Sequence, residues 1–254
     1  MGAYLLFFIT GFIFSMVGLG GGSVFVPFFT FLGYDLKTIA VPAGAFLVWV
    51  TAFSSSINYV RHKQVHYRLA TIFLAGSFIA VGLGQQFLYH KASSSTLMLI
   101  LGITVVLSGT RFLFLPEHFG VVVLKNKKTE TFVFFLGGLV VGLVSALTGI
   151  GGGFLMVPFM LHFGVEIKKA AGTSAFVIFF TSAFAFLTHA FSHFNLQFLK
   201  DELWIYGLAV FIGGILGSKI QVVKLKNKQV KTLMGVVLFF LGIYVFYKFF
   251  QGKI

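Results

Sequence analysis

Gly18-Leu19-Gly20-Gly21-Gly22-Ser23-Val24-Phe25-Val26-Pro27 returns 131 residues later as Gly149-Ile150-Gly151-Gly152-Gly153-Phe154-Leu155-Met156-Val157-Pro158. Over residues 18–40 and 149–171 there are 10 identities in 23 positions, with Asp35 opposite Glu166 and Leu36 opposite Ile167. Gly102 and Gly109 match Gly235 and Gly242 at nearly the same offset. Self-similarity at a fixed offset marks an internal duplication. The chain is two copies of one unit, each built around a glycine run.

Each run lies in strongly apolar sequence. Of 254 residues, 58% are hydrophobic and only 10% charged, and the mean hydropathy is +0.99. A soluble domain carries roughly 25% charged residues, so this chain cannot cover itself for water. Runs such as 38–59, 69–88 and 96–115 approach the roughly 20 residues that span a bilayer as a helix. The fold class is all-α, a polytopic membrane protein. There are no cysteines, which excludes disulfides, thiolate catalysis and Cys metal sites. The apolar N-terminal ten residues lack a basic flank and a small-residue cleavage pattern, so they are not read as a cleaved signal peptide.

The first repeat, 1–115, contains segment A (3–17), the glycine break, a short segment B (23–32), a polar corner (33–37), and segments C (38–60), D (69–89) and E (94–115). Residues 116–130 read as a linker. The second repeat, 131–254, copies the plan as A′ (131–147), B′ (154–163), a corner (164–168), C′ (169–191), D′ (203–222) and E′ (230–250).

The net charge of +13 invites a nucleic-acid reading, but most basic residues sit in short loops between apolar runs. That is the pattern by which membrane proteins set their orientation, so no nucleic-acid partner is expected. The C–D loop carries Arg61, Lys63 and Arg68, whereas its C′–D′ counterpart sets Lys200 against Asp201 and Glu202. The D–E loop has only Lys91, whereas D′–E′ has Lys219, Lys224, Lys226, Lys228 and Lys231. The bias flips between the halves, which predicts inverted repeats with the C–D loop, the linker and the D′–E′ loop cytoplasmic and both termini outside. Inversion requires an odd number of crossings per repeat. C, D and E supply three, so A and B must add none or two. B, at about ten residues and roughly 15 Å, cannot cross a 30 Å core. A re-entrant A–B hairpin with its glycine turn near the midplane satisfies both conditions.

Three consecutive glycines allow positive φ and a tight turn with no side chain over the backbone. The amides freed there cannot stay unpaired in lipid. Each break also opens a helix, whose first N–H groups and positive dipole end point into it. That geometry suits an anion, and inverted repeats would bring the two ends together. The candidate substrate-binding residues are therefore Gly20, Gly21, Gly22, Gly151, Gly152 and Gly153, with hydroxyls from Thr148, Thr173 and Ser174. Pro27 and Pro158 read as structural helix breakers. A phosphate-binding lysine follows neither run, and the dinucleotide pattern lacks its last glycine at Ser23 and Phe154. Gly76, Ala80, Gly84, Gly213 and Gly217 have the spacing of helix-packing residues.

All six acids (Asp35, Glu117, Glu130, Glu166, Asp201, Glu202) fall at corners, linker or loops. A cation pathway or carboxylate proton relay thus lacks its usual residue type, which suits a negatively charged substrate. Asn58 and His189 occupy duplicated positions late in C and C′ and are candidates for coupling or gating; His189 could link transport to protons. Serines such as Ser54, Ser55 and Ser56 can bond their own helix carbonyls. Trp49 and Trp204 read as interface anchors. No cofactor or metal site is expected. An intramembrane hydrolase is disfavoured by the absence of a Gly-x-Ser-x-Gly elbow; an anion channel and a non-transporting assembly protein remain as alternatives.

The doubled glycine-proline run, Gly172-Thr173-Ser174 and the two-half plan resemble the sulfite exporter TauE/SafE family over nearly the whole chain. The resemblance implies a plasma-membrane permease, not an enzyme, for sulfite, sulfonates or related organosulfur anions, often moved outward. The first repeat departs from the pattern, with Pro42-Ala43 where the second has Thr173-Ser174.

Overall fold

The computed structural model describes residues 2–89, 126–148, 151–192 and 203–250, with isolated positions between 93 and 124. Most of segment E, most of the linker and the C′–D′ loop lie outside the described residues. The helices are α1 (Gly2–Val17), α2 (Gly22–Phe31), α3 (Val41–Arg61), α4 (Tyr67–Leu83), α5 (Lys127–Thr148), α6 (Gly153–His162), α7 (Ile167–Ser192), α8 (Trp204–Val223) and α9 (Asn227–Phe250). One wide π-helical turn, Leu36–Ala40, leads into α3 and another, Gly84–Tyr89, follows α4. Among the described residues five helices are long and apolar enough to cross a membrane.

Apolar patterning fixes these elements, and the glycines fix where they stop. α1 ends at Val17, and Gly18, Gly20 and Gly21 all take positive φ, a conformation open to glycine at little cost. α2 then folds back along α1: Phe7 meets Phe25, Phe28 and Phe29 with ring centroids 5.7, 5.1 and 5.5 Å apart. α5 and α6 make the matching hairpin, with Phe134 against Phe159 and Phe163 at 5.5 Å each. The prolines do not break these helices. Pro27 and Pro158 lie inside α2 and α6, which continue past them; the cost of each is one missing amide bond to the preceding turn, and the break belongs to the glycines.

α5 begins at Lys127, within the stretch read as linker, because Asn126 Oδ1 accepts from Lys128 N–H at 2.9 Å and caps it. At the first corner Asp35 Oδ1 accepts from Thr38 N–H and Thr38 Oγ1 at 2.8 and 2.7 Å. At the second, the longer Glu166 reaches away from its own helix, and Oε1 accepts from Asn227 Nδ2 at 3.2 Å.

Contacts between helices give their directions. Tyr4 meets Tyr206, and Gly213 and Gly217 lie against the Phe8 and Phe12 carbonyls, so α1 and α8 are parallel. Gly138 lies on Phe73 and Gly142 on Ser77, so α4 and α5 are parallel. Phe53 meets Phe211 and Asn58 reaches Ile215, so α3 runs with α8. Tyr67 meets Phe176 and Gln85 reaches Ala185, so α4 runs with α7. Phe46 stacks near Phe186 while Phe53 sits by Phe179, so α3 and α7 are antiparallel. α1, α3 and α8 thus point one way and α5, α7 and α4 the other. Gly76, Gly213 and Gly217 are packing residues: any Cβ there would strike a backbone carbonyl of the facing helix, the close approach that small residues permit in membranes. Leu5, Phe132, Leu208 and Phe240, all more than half exposed, belong to the outer, lipid-facing surface.

Candidate functional site

The two glycine turns meet. A Cβ on Gly20 would lie 2.9 Å from Val48 Cγ1 and 3.2 Å from Ile178 Cγ2; one on Gly151 would lie 2.6 and 2.9 Å from the same two atoms. A Cβ on Gly153 would lie 3.0 Å from the Gly18 carbonyl and from Leu19 Cα. Val48 is midway along the Leu36–Arg61 span, and Ile178 midway along Ile167–His189. Both turns therefore sit at mid-depth of the bundle, with one side chain from α3 and one from α7 against them. No sequence signal separated Val48 and Ile178 from other apolar residues; only their mid-span positions could have pointed to them.

Both short helices start in the same way. Gly21 (φ 81, ψ −3) caps α2 and Gly152 (φ 69, ψ −1) caps α6, each left-handed and without a side-chain cap. The carbonyl of Gly21 accepts from Val24 and Phe25 N–H, and that of Gly152 from Leu155 and Met156 N–H. Among the described residues, the amides of Gly20, Gly21, Gly22 and Ser23, and of Gly151, Gly152, Gly153 and Phe154, make no hydrogen bond to backbone or to a capping side chain. Neither helix has an acid in its first turn. The result is two sets of buried donors at the positive ends of two helix dipoles.

The hydroxyl residues take different places. Ser174 Oγ, fully buried, donates to the Gly18 carbonyl at 2.9 Å, so the second repeat holds the first repeat's break. Thr173 lies at the C–D turn instead: its Oγ1 donates to the Lys169 carbonyl at 2.6 Å and accepts from His66 N–H at 2.9 Å. Thr148 ends α5 and its side chain lies outside the described residues, as do Gly149 and Ile150. Tyr59, fully buried on α3, donates from its hydroxyl to the Ser15 carbonyl at 2.6 Å, beside the first break. Ser145 Oγ, one turn before the second break, is buried with no partner among the described residues.

Asn58 is a helix-packing residue: its Nδ2 donates to the Ile215 carbonyl and to Ser218 Oγ, both at 2.9 Å, across α3 and α8. His189 is buried near the end of α7. Thr51, Ser54, Ser55, Thr181 and Ser182 donate to carbonyls of their own helices. Trp49 is not an interface anchor. It lies mid-span beside Val48, partly buried and stacked on Phe186 at 6.2 Å. Trp204, half exposed at the start of α8, does sit at a helix end.

An all-helical, multi-pass membrane protein with a duplicated broken hairpin is the class this architecture defines. The model of the family described as Sulfite exporter TauE/SafE matches residues 3–245. The chain belongs to that family and is a membrane transporter of its type. It is 29% identical over 266 residues to the "Probable membrane transporter protein YunE" of Bacillus subtilis, covering 94% of each chain. It is 24% identical over 254 residues to the "Probable membrane transporter protein MJ0441" of Methanocaldococcus jannaschii, covering 94% of this chain and 92% of that one. The "Probable membrane transporter protein y4hK" of Sinorhizobium fredii is 25% identical over 251 residues, with 96% of both covered. No solved structure matches.

Proposed function

We propose that this transporter moves a small oxyanion, of the sulfite, sulfonate or organosulfur class, across the plasma membrane as a secondary exporter. The anion would sit between the turns at Gly20–Gly22 and Gly151–Gly153. The observation that carries this reading is the meeting of two left-handed helix starts at mid-depth, each with amides that make no backbone or capping hydrogen bond among the described residues. Unpaired buried N–H groups are costly in lipid, and an oxyanion satisfies several at once with charge-assisted bonds. Ser174 acts as a positioning residue, through the Gly18 carbonyl, and Ser145 is available as a further donor.

The opposite directions of α1 and α5, α3 and α7, and α4 and α8 support inverted repeats with re-entrant hairpins, and the basic loops favour both termini outside. Val48 and Ile178 close the space between the turns, so substrate entry requires α3 and α7 to part. Rocking of one half against the other, the mode open to inverted repeats, would open first one side and then the other. The sequence carries no ATP-binding motif, so the energy would come from a gradient or a partner, and His189 is the candidate for coupling protons to the cycle.

Reconstituted flux tests this. Full-length protein in liposomes should take up sulfite or sulfoacetate saturably, with mutual competition and weaker response to chloride. An unsaturable current would make it a channel, and no flux of any tested anion would make it a non-transporting membrane protein.

A further inference from the structure

Five lysines line one cavity at the end of the bundle where α3, α8 and the C–D turn meet the starts of α7 and α9. It is an open depression of about 1150 Å³, bordered by Gln64, Lys168, Val223, Lys224, Lys226, Asn227, Lys228 and Lys231, among others. One acid borders it, Glu166, and its Oε1 already accepts from Asn227 Nδ2. Orientation of a membrane protein asks only that lysines be on one side; it does not ask that they converge on one space. Here they also oppose the helix dipoles. Lys168 lies in the first turn of α7 and Lys228 in that of α9, and neither first turn holds an acid. Cations are unfavourable at a helix start; the one carboxylate bordering the cavity is Glu166, immediately before α7 and bonded to Asn227 at the start of α9, so a single negative charge faces five lysines.

The depth of the cavity is informative. The α8 span ends at Val223, which borders it, and the α7 span begins at Ile167, next to Lys168. That is the level of lipid headgroups. Along α8, Ile212, Leu216 and Val223 share one face that runs up to the cavity and are 43–60% exposed, an apolar strip for acyl chains. Basic pockets between transmembrane helices on the cytoplasmic side suit anionic headgroups, and an ammonium is a compact partner for phosphate oxygens.

We propose that this cavity is a phosphate-binding site, and that the strip beside it makes an anionic phospholipid headgroup the favoured source of the phosphate. The site lies at the membrane edge, apart from the glycine turns, and its occupancy is read without transport.

The test is native mass spectrometry of the full chain in mild detergent. Three probes are compared: phosphatidylglycerol, phosphatidylcholine and inorganic phosphate. The variants are Lys224→Gln/Lys228→Gln/Lys231→Gln and, as a control of equal charge on the same face, Lys127→Gln/Lys128→Gln/Lys169→Gln. The first should lower phosphatidylglycerol retention about a hundredfold, from the loss of three near-surface cations. The control should retain it, and phosphatidylcholine should bind neither. Selective loss of inorganic phosphate instead would support the site with a soluble source. Equal loss in both triple variants, or loss in neither, overturns the proposal. Should the cavity triple fail to fold, Lys224→Gln/Lys226→Gln, both exposed, gives the same reading against Lys127→Gln/Lys128→Gln.

Discussion

Ser174 Oγ donates a 2.9 Å hydrogen bond to the carbonyl of Gly18, across the boundary between repeats. The duplicated position is Ala43, which has no hydroxyl. The first break is therefore tied by a side chain of the second half, and that tie is one-sided. Ser174→Ala leaves a buried carbonyl without its donor, at a cost of about 1–3 kcal/mol. The unfolding midpoint in detergent should fall and flux should slow, while Ser174→Thr retains most of both. Unchanged midpoint and flux in Ser174→Ala would show that the bond positions nothing.

Gly20 and Gly151 both crowd Val48 Cγ1. Val48→Ala removes two methyl groups between the turns, costing about 2 kcal/mol of stability, and should admit bulkier anions or raise leak. Gly151→Ala alone should be severe, combining a positive φ with the clash. Adding Val48→Ala should relieve the clash with Val48 but neither the contact with Ile178 Cγ2 nor the backbone strain, giving a coupling of about 0.5–3 kcal/mol in a double-mutant cycle. Strict additivity would separate the two positions.

Gly213→Ala places a Cβ against the Phe8 carbonyl and forces α1 from α8. Overpacking of this kind costs about 1–3 kcal/mol. Thermal unfolding should show the loss, and the protein that remains folded should bind anions with unchanged affinity. A large affinity change at equal folded fraction would place Gly213 in the site.

The fold was legible because its signals are local and repeated. The glycine run, the corner acids and the flipped loop charge each depend on residues close in sequence. The unreadable parts are contacts between distant segments. Ser174 looks like a partner for its own break at Gly149 and instead holds Gly18. Thr173, its neighbour, faces a different helix side and bonds the C–D turn. Val48 and Ile178 carry no chemistry of their own, and only the antiparallel packing of α3 on α7 brings them to the turns. Lys168 reads as a corner residue, and the five-lysine cavity requires the start of α7 to meet the start of α9.

At the first corner, hydrogen bonds from the Thr38 hydroxyl and amide hold the Asp35 carboxyl below its ordinary range. The folded state thus binds that proton more weakly than the unfolded chain. The stabilisation is present above the ordinary carboxylate value and is lost as pH falls through the lowered, folded value. Asp35→Ala should cost about 1 kcal/mol at neutral pH through the lost cap. Asp35→Asn keeps a capping oxygen and should flatten the acid limb of the midpoint-versus-pH curve. An acid limb identical to wild type would assign the effect to other carboxylates.

The anion's place can be read from the glycine amides themselves. Protein labelled with 15N at its 30 glycines is titrated with sulfite or sulfoacetate in nanodiscs, and amide resonances are followed by NMR. Resonances of Gly20, Gly21, Gly22, Gly151, Gly152 and Gly153 should shift saturably at the concentration that half-saturates flux, while those of Gly76 and Gly213 stay fixed. Saturated flux with the six turn resonances unmoved would contradict an anion held between the two turns.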